Sequence, residues 1–293
     1  MGTGRLAVLL MLAQSVLFAI ENSLIHYVGS GADLMQIILL RGLGGLALIV
    51  ALAAVNGGGG AFVRSKRISV QLLRGVLTVG YAWVLTYSLT KLPLANAIAI
   101  SFTTVAYTAL FAKVILGEQI TMWRLAGAAF SIVGALLITK PTFGESDIDH
   151  AIVLLGTSLN GLLFVLNRYV QRQGGDTQLT TMFYANAFLV VAYLPAFALA
   201  AAPAPATWPS LFGLVVFGSV GMYVGIVAVR YASATALAPL TLTRLVLTTL
   251  AGVLLFNEKP DPLTLAGILL ILFSCWMAMR PAPTETQGRQ AAD

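Results

Sequence analysis

LPLANAIAISFTTVAYTALFAKVILGEQITMWRLAGAAFSIVGALLITKP, residues Leu92–Pro141, is the stretch that decides the fold. It holds two apolar runs, Leu94–Leu116 and Met122–Thr139, joined by the short polar link Gly117–Thr121. Each run is long enough, or nearly so, to cross a hydrocarbon core of about 30 Å as a helix rising about 1.5 Å per residue. The pattern returns 140 residues later. Glu118 falls on Glu258, Leu125-Ala126-Gly127 on Leu265-Ala266-Gly267, Lys140 on Arg280 and Pro141 on Pro281. Thr121 falls on Asp261, and both residue types cap helix N-termini, with Pro262 in the first helical position. An ungapped recurrence of this kind indicates an internal duplication.

Composition names the solvent. The chain is 58% apolar and 10% charged, with a mean hydropathy of +0.90. A soluble domain is about one quarter charged, so the reading is a multi-span membrane protein in contact with lipid. The net charge of +6 comes from cations scattered singly between apolar runs. No stripe interleaved with aromatics is present, which argues against a nucleic-acid partner. The single cysteine, Cys275, reads as a small buried filler, and no metal or cofactor motif is present.

Working outward, ten segments read as spans: 5–28, 33–55, 68–90, 94–116, 121–140, 149–171, 178–201, 208–230, 235–256 and 261–280. The links carry Gly and Pro and are too short for an extramembrane domain. The first segment continues past Glu21 with no small-residue cleavage site, so it is kept as a span rather than a signal peptide. Residues 282–293 are polar and are expected to be a disordered cytoplasmic tail. With both termini inside, twelve cations fall on the cytoplasmic flanks and three (Lys91, Lys140 and Lys259) outside, while Arg41 and Arg244 lie within spans. That asymmetry predicts cytoplasmic termini.

The expected fold is therefore an all-α membrane protein of ten transmembrane helices, in two five-helix repeats over residues 1–143 and 144–281. An odd span number inverts the second copy, an arrangement found in secondary transporters with a midplane site. Glu118 then faces the cytoplasm and Glu258 faces outward.

At these motifs the chain resembles the drug/metabolite transporter superfamily, the EamA-type exporters. The resemblance rests on Leu92-Pro93-Leu94-Ala95-Asn96-Ala97, Leu116-Gly117-Glu118 and Gly134…Pro141. The second copy matches it through Ala236-Leu237-Ala238-Pro239, Phe256-Asn257-Glu258 and Leu265-Ala266-Gly267. It implies a bacterial inner-membrane exporter working by alternating access as a monomer, and within the superfamily the chain looks most like exporters of amino acids, aromatic ones in particular. Many members carry Trp-Gly in the first span, where this chain has Ala19-Ile20.

Charges inside a span cost roughly 2.5–3.5 kcal/mol near its centre, so each needs a partner or a task. Glu21 and Arg41 both lie about 10–12 Å below the outer surface, in reach of each other across the hairpin centred on Gly31. They form either a structural ion pair or a contact to the substrate's charged groups, with Glu21 also able to take a coupling proton. Arg244 lies about 13 Å from the cytoplasmic face with no obvious local counter-ion. Pro239, five residues earlier, interrupts the helix ladder there and frees carbonyls. Broken helix plus lone cation can hold an anion, or the cation can pair with carbonyls. Tyr81, Trp83, Tyr87, Tyr107, Phe164, Tyr184 and Tyr223 with Asn22, Asn160, Asn167 and Asn186 divide between an interfacial belt and a cavity lining. The deepest by counting are Tyr81, Tyr107, Asn160, Asn186 and Tyr223; Asn22 sits beside Glu21. Gly221 and Gly225 form a GxxxG in span 8, whose default meaning is close helix packing. His26 reads as a surface or capping residue and His150 as a solvated loop residue.

There is no P-loop, so the driving force must be a gradient of substrate or protons. The alternatives are a carrier of nucleosides, sugars or drugs, a channel or scaffold, and an intramembrane enzyme using Ser158 of Gly156-Thr157-Ser158 with a histidine base.

Overall fold

The computed structural model describes residues 3–29, 31–55, 59–117, 122–139, 147–172, 176–199, 202–231 and 243–278, all of them helix or connection. In chain order the helices are α1 (Thr3–Val28), α2 (Leu34–Val55), α3 (Ile68–Lys91), α4 (Leu94–Ser101), α5 (Thr104–Leu116) and α6 (Met122–Thr139). There follow α7 (Asp147–Arg172), α8 (Gln178–Leu199), α9 (Trp208–Tyr231), α10 (Thr243–Phe256) and α11 (Pro262–Ala278), with short 3-10 turns at Gly59–Val63 and Pro205–Thr207. Six described stretches are long and apolar enough to cross a membrane, among them Arg5–Val28 and the composite Leu94–Leu116, and three shorter apolar helices accompany them. Helix α7 begins at Asp147, which takes His150 into its first turn and not into a loop.

Polarity is inverted relative to a soluble protein. Val8, Leu9, Val50, Val76, Val191 and Leu254 stand exposed on the outside, while Glu21, Gln71, Arg74, Thr86 and Ser88 are buried. A broad apolar exterior of this kind suits a bilayer.

The composite fourth span is broken, which the sequence reading did not anticipate. Phe102 N–H donates to the Ala99 carbonyl and Thr103 N–H to Ile100, so the turn between α4 and α5 tightens to three-residue bonds. The hydroxyls of Ser101 and Thr103 also compete for carbonyls, at 2.7 Å each to Ile98 and Ile100. A run of Ser and Thr disturbs a helix ladder in this manner. Thr103 and Thr104 bond to Thr157 of α7, and Asn160 of α7 donates to Thr104 at 3.2 Å. Helix α4 itself is buried along nearly its whole length and anchors the largest apolar cluster, with Ile25, Leu89, Val153, Leu211, Leu245 and Ile271 around it.

Packing pairs exchange when each helix is moved five spans along. Helix α1 packs on α9 and α3 on α7; α2 packs on α8 and α6 on α11; α5 meets α7 and α1 meets α10. The residues that end α5 and α10 share the left-handed backbone region. Gly117 has φ 66° and Asn257 has φ 53°. Glycine and asparagine are the residues that end a helix in that region most readily, so Gly117 and Asn257 play the same part. Where α6 crosses α11, a side chain at Gly134 would meet the Gly267 carbonyl at 2.9 Å, so only glycine lets the backbones approach so closely.

Candidate functional site

Two adjoining chambers open between the helices of the two halves. The first, about 220 Å³, is lined by Phe18 and Glu21 of α1, Ile38 and Arg41 of α2, Tyr81 of α3, Asn186 of α8, and Gly218 and Met222 of α9. The Glu21–Arg41 pair dominates it. Arg41 Nε donates to Glu21 Oε1 at 2.8 Å, with the Glu21 side chain 4% and the Arg41 side chain 25% exposed. The bond uses Nε, which leaves the terminal amino groups of the guanidinium for a ligand. The carboxylate rests in the space left by Gly218, and the Asn186 amide rests likewise on Gly45. Asn186 is further held by a bond of 2.9 Å to the Met182 carbonyl.

The second chamber, about 290 Å³, is lined by Arg74, Thr78, Tyr81, Asn160, Asn167 and Asn186 among others. Thr78, Tyr81, Asn186 and Met222 belong to both walls.

Arg244 stands behind the first chamber. Its guanidinium carbon lies 5.8 Å from the centre of the Phe18 ring and 5.5 Å from that of Phe102, a sandwich of two cation–π contacts. Glu21 and Tyr81 act on it electrostatically, against the like charge of Arg41. The sequence offers Arg244 no obvious local counter-ion; Glu21, more than 200 positions away, is a distant one that acts on it. The broken helix beside it is the α4–α5 turn that carries Phe102; Pro239 and Glu118 lie outside the described residues.

The other candidates disperse. Tyr81, Asn160 and Asn186 line the chambers. Tyr223 does not line either one and is 40% exposed, because its neighbour Met222 takes the inward position and the next residue turns about 100° away. Tyr107 packs its Cβ and backbone against Gly161 at the α5–α7 contact. Asn22 is 5% exposed with its amide nitrogen unpartnered, outside both linings. Gly221 seats on Phe18 and Leu17, and Gly225 on the Gln14 amide, so the GxxxG of α9 is the α1 docking face. Ser158 returns its hydroxyl to the Leu155 carbonyl at 2.6 Å, and His26 is engaged elsewhere.

Residues the sequence reading passed over are Arg74, Thr78, Met222 and Gly218. Arg74 was counted among the cytoplasmic flanks, although six residues inside the start of α3 already place it about 9 Å deep. Gly218 adds a third small residue to the 221/225 stripe, which is the signal that could have found it.

Two polar clusters close the ends of the bundle. At one, Glu258 accepts the Leu94 N–H at 2.6 Å and the Ala95 N–H at 3.4 Å, capping the otherwise bare N-terminus of α4. His26 Nε2 lies 3.6 Å from the same carboxylate, and its Nδ1 is 2.6 Å from the Leu89 carbonyl. The histidine read as a surface or capping residue is thus part of the capping contact that joins α1, α3, α4 and the α10–α11 link. Glu258→Ala is expected to lower stability by about 1–2 kcal/mol, the worth of a lost cap, read as a reduced Tm of the purified protein in detergent.

At the other end, Asp176 in the α7–α8 link accepts from Ser65, from Gln71 at 2.7 Å and from the Lys66 N–H at 2.8 Å. Burial raises its carboxyl, but the bonds from Ser65, Gln71 and Lys66 and the Arg67 charge outweigh that and hold it below the ordinary carboxylate range. A carboxyl depressed in the folded state stabilises fully above its unfolded value, about 3.9, and that contribution is lost as pH falls through the folded one. The Tm difference between wild type and Asp176→Asn is accordingly expected to be constant from about pH 5 to 8 and to close below about pH 4.

The EamA-like transporter family model matches twice, over residues 5–140 and 150–280. A curated S-adenosylmethionine uptake transporter of Rickettsia prowazekii is 26% identical over 256 residues, 87% of this chain and 85% of that protein. A pseudopaline exporter of Pseudomonas aeruginosa is 28% identical, covering 92% of this chain and 94% of its own length. A riboflavin transporter of Brucella anthropi is 23% identical, covering 92% and 97%. A solved crystal structure superposes with a TM-score of 0.66 at 18% identity over 93% of this chain and 96% of its own, a likeness of fold.

Proposed function

The chain belongs to the EamA-like transporter family, and on that premise we propose that it is a bacterial inner-membrane secondary transporter that exports amino acids. The preferred substrates are aromatic or other bulky neutral ones. The observation that carries this is the Glu21–Arg41 pair on the wall of a chamber between the halves, with Arg244 stacked behind it. One buried carboxylate and two cations offer complementary partners to an ammonium and a carboxylate, and Phe18 and Tyr81 offer aromatic surface to a side chain.

Ten spans in two inverted halves, with both termini cytoplasmic, are the arrangement we adopt. The exchange of packing pairs under a five-span shift supports it, as does the positive charge on the flanks. Rocking of the halves about the chambers gives alternating access. Glu21 is the carboxylate placed to carry a coupling proton. The relatives' names include uptake as well as export, and a carrier runs in either direction according to its gradients. S-adenosylmethionine, itself an α-amino acid on a large aromatic-bearing body, belongs among the test ligands.

The test is uptake of labelled amino acids into proteoliposomes of the purified chain, with nucleoside, sugar and S-adenosylmethionine competitors. Saturable uptake, strongest for aromatic amino acids, is expected. Competition by another metabolite class without amino-acid flux would replace the substrate assignment. Arg244→Ala is expected to reduce flux about tenfold with insertion retained, because Glu21 loses a second cation and Phe18 its stacking partner, together worth about that factor; unchanged flux would remove Arg244 from the site.

A further inference from the structure

We propose that the second chamber is an anion subsite, and that the preferred substrates carry a second carboxylate distal to the amino-acid head. This rests on the amino-acid reading above and narrows it, with an acidic bulky side chain in place of a neutral one. Arg74 is 4% exposed on the wall of that chamber. One terminal nitrogen donates to the neutral Gln71 Oε1, while Nε has no hydrogen-bond partner among the described residues. Asp176 acts on it through space, its oxygens accepting instead from Ser65, Gln71 and Lys66. A buried guanidinium without a direct counter-ion is costly, and the deficit is met when an anion enters beside it. Across the same chamber the Asn167 Oδ1 is buried and also unpartnered. Asn160 has its amide committed to Thr104. The chamber therefore holds an unused charged donor at Arg74, which matches a carboxylate that accepts from it, and an acceptor at Asn167 left for a donor elsewhere on the ligand.

The shape agrees. Arg74 and Leu85 mark the two ends of the adjoining chambers along α3. Eleven residues of helix span about 16 Å, the length of a ligand with its head at Glu21–Arg41, its body beside Tyr81 and Met222, and a carboxylate at Arg74.

The experiment is calorimetric binding to the detergent-purified full chain, comparing L-phenylalanine with 4-carboxy-L-phenylalanine and its carboxymethyl homologue. A carboxylated ligand is expected to bind at least about tenfold more tightly, the worth of one charge-assisted contact. That ratio is expected to fall toward one in Arg74→Gln and to survive in part in Arg74→Lys. Equal affinity of all three ligands for the wild type overturns the subsite and leaves the amino-acid reading standing. A preference undiminished in a folded Arg74→Gln does the same. Should none of the three bind the folded wild type, the amino-acid reading itself fails and the subsite falls with it. The wild-type ratio decides the matter even if neither Arg74 variant folds.

Discussion

Glu21→Ala is expected to abolish transport and to destabilise the bundle by roughly 3–5 kcal/mol, the cost of leaving a buried charge without its partner. The carboxylate answers two cations at once, the Arg41 guanidinium at 2.8 Å and Arg244 through space. Removing it leaves two positive charges on one low-dielectric wall, where repulsion adds to lost attraction. Glu21→Gln separates the roles. It keeps an acceptor for Arg41 Nε and most of the packing on Gly218, so a larger share of folded protein is expected, while the charge is gone. If Glu21 carries the coupling proton, the glutamine variant retains some flux whose pH dependence has vanished. An unaltered pH profile would remove the proton role, and wild-type flux in Glu21→Ala would remove the pair from the site altogether. The measurements are Tm in detergent and proteoliposome flux across pH.

Gly218→Val is expected to be nearly as damaging without touching a charge. A Cβ at Gly218 would coincide with the Glu21 carboxylate, with Oε2 still at 3.2 Å. The carboxylate cannot yield freely, since Arg41 holds it and α1 is clamped on α9 by Gly221 and Gly225. Overpacking of a close contact costs about 1–3 kcal/mol, and here the displaced atoms are the ligand-facing ones. Flux is expected to fall at least about tenfold, since a displacement of about 1 Å at a site can cost a hundredfold. Gly60→Val, at a position with open space around it, is the matched control. Equal flux in the two variants would show that the Glu21–Gly218 contact has no part in transport.

Both predictions depend on contacts that differ in how far the sequence discloses them. The Glu21–Arg41 pair was legible because a short hairpin forces α1 and α2 side by side and equal depth places the two charges together. The turns at Gly117 and Asn257 were legible for a similar reason: a left-handed helix end is local chemistry that few residues satisfy. The span lengths follow from hydrocarbon thickness, and the family from motifs made of such local elements.

Which face of each helix meets the cavity is another matter. In water an amphipathic stripe announces the buried face. In a bilayer the lipid face and the packed face are both apolar, so α2, α9 and α11 show almost no stripe to read. Hence Met222 faces inward and Tyr223 outward with nothing in the sequence to order them. The same loss hid Gly218 against Glu21, Phe18 and Phe102 around Arg244, His26 against Glu258, and Asp176 against the start of α3. Those pairs all lie more than a hundred residues apart and exist only because the helices of the two halves interleave. The sequence by itself determined the apolar helical character, the family motif repeated in both halves and the charges that had to be compensated. The tertiary structure alone decided which distant residue compensates each, because that choice is made by helix–helix packing and leaves no periodic trace in an apolar solvent.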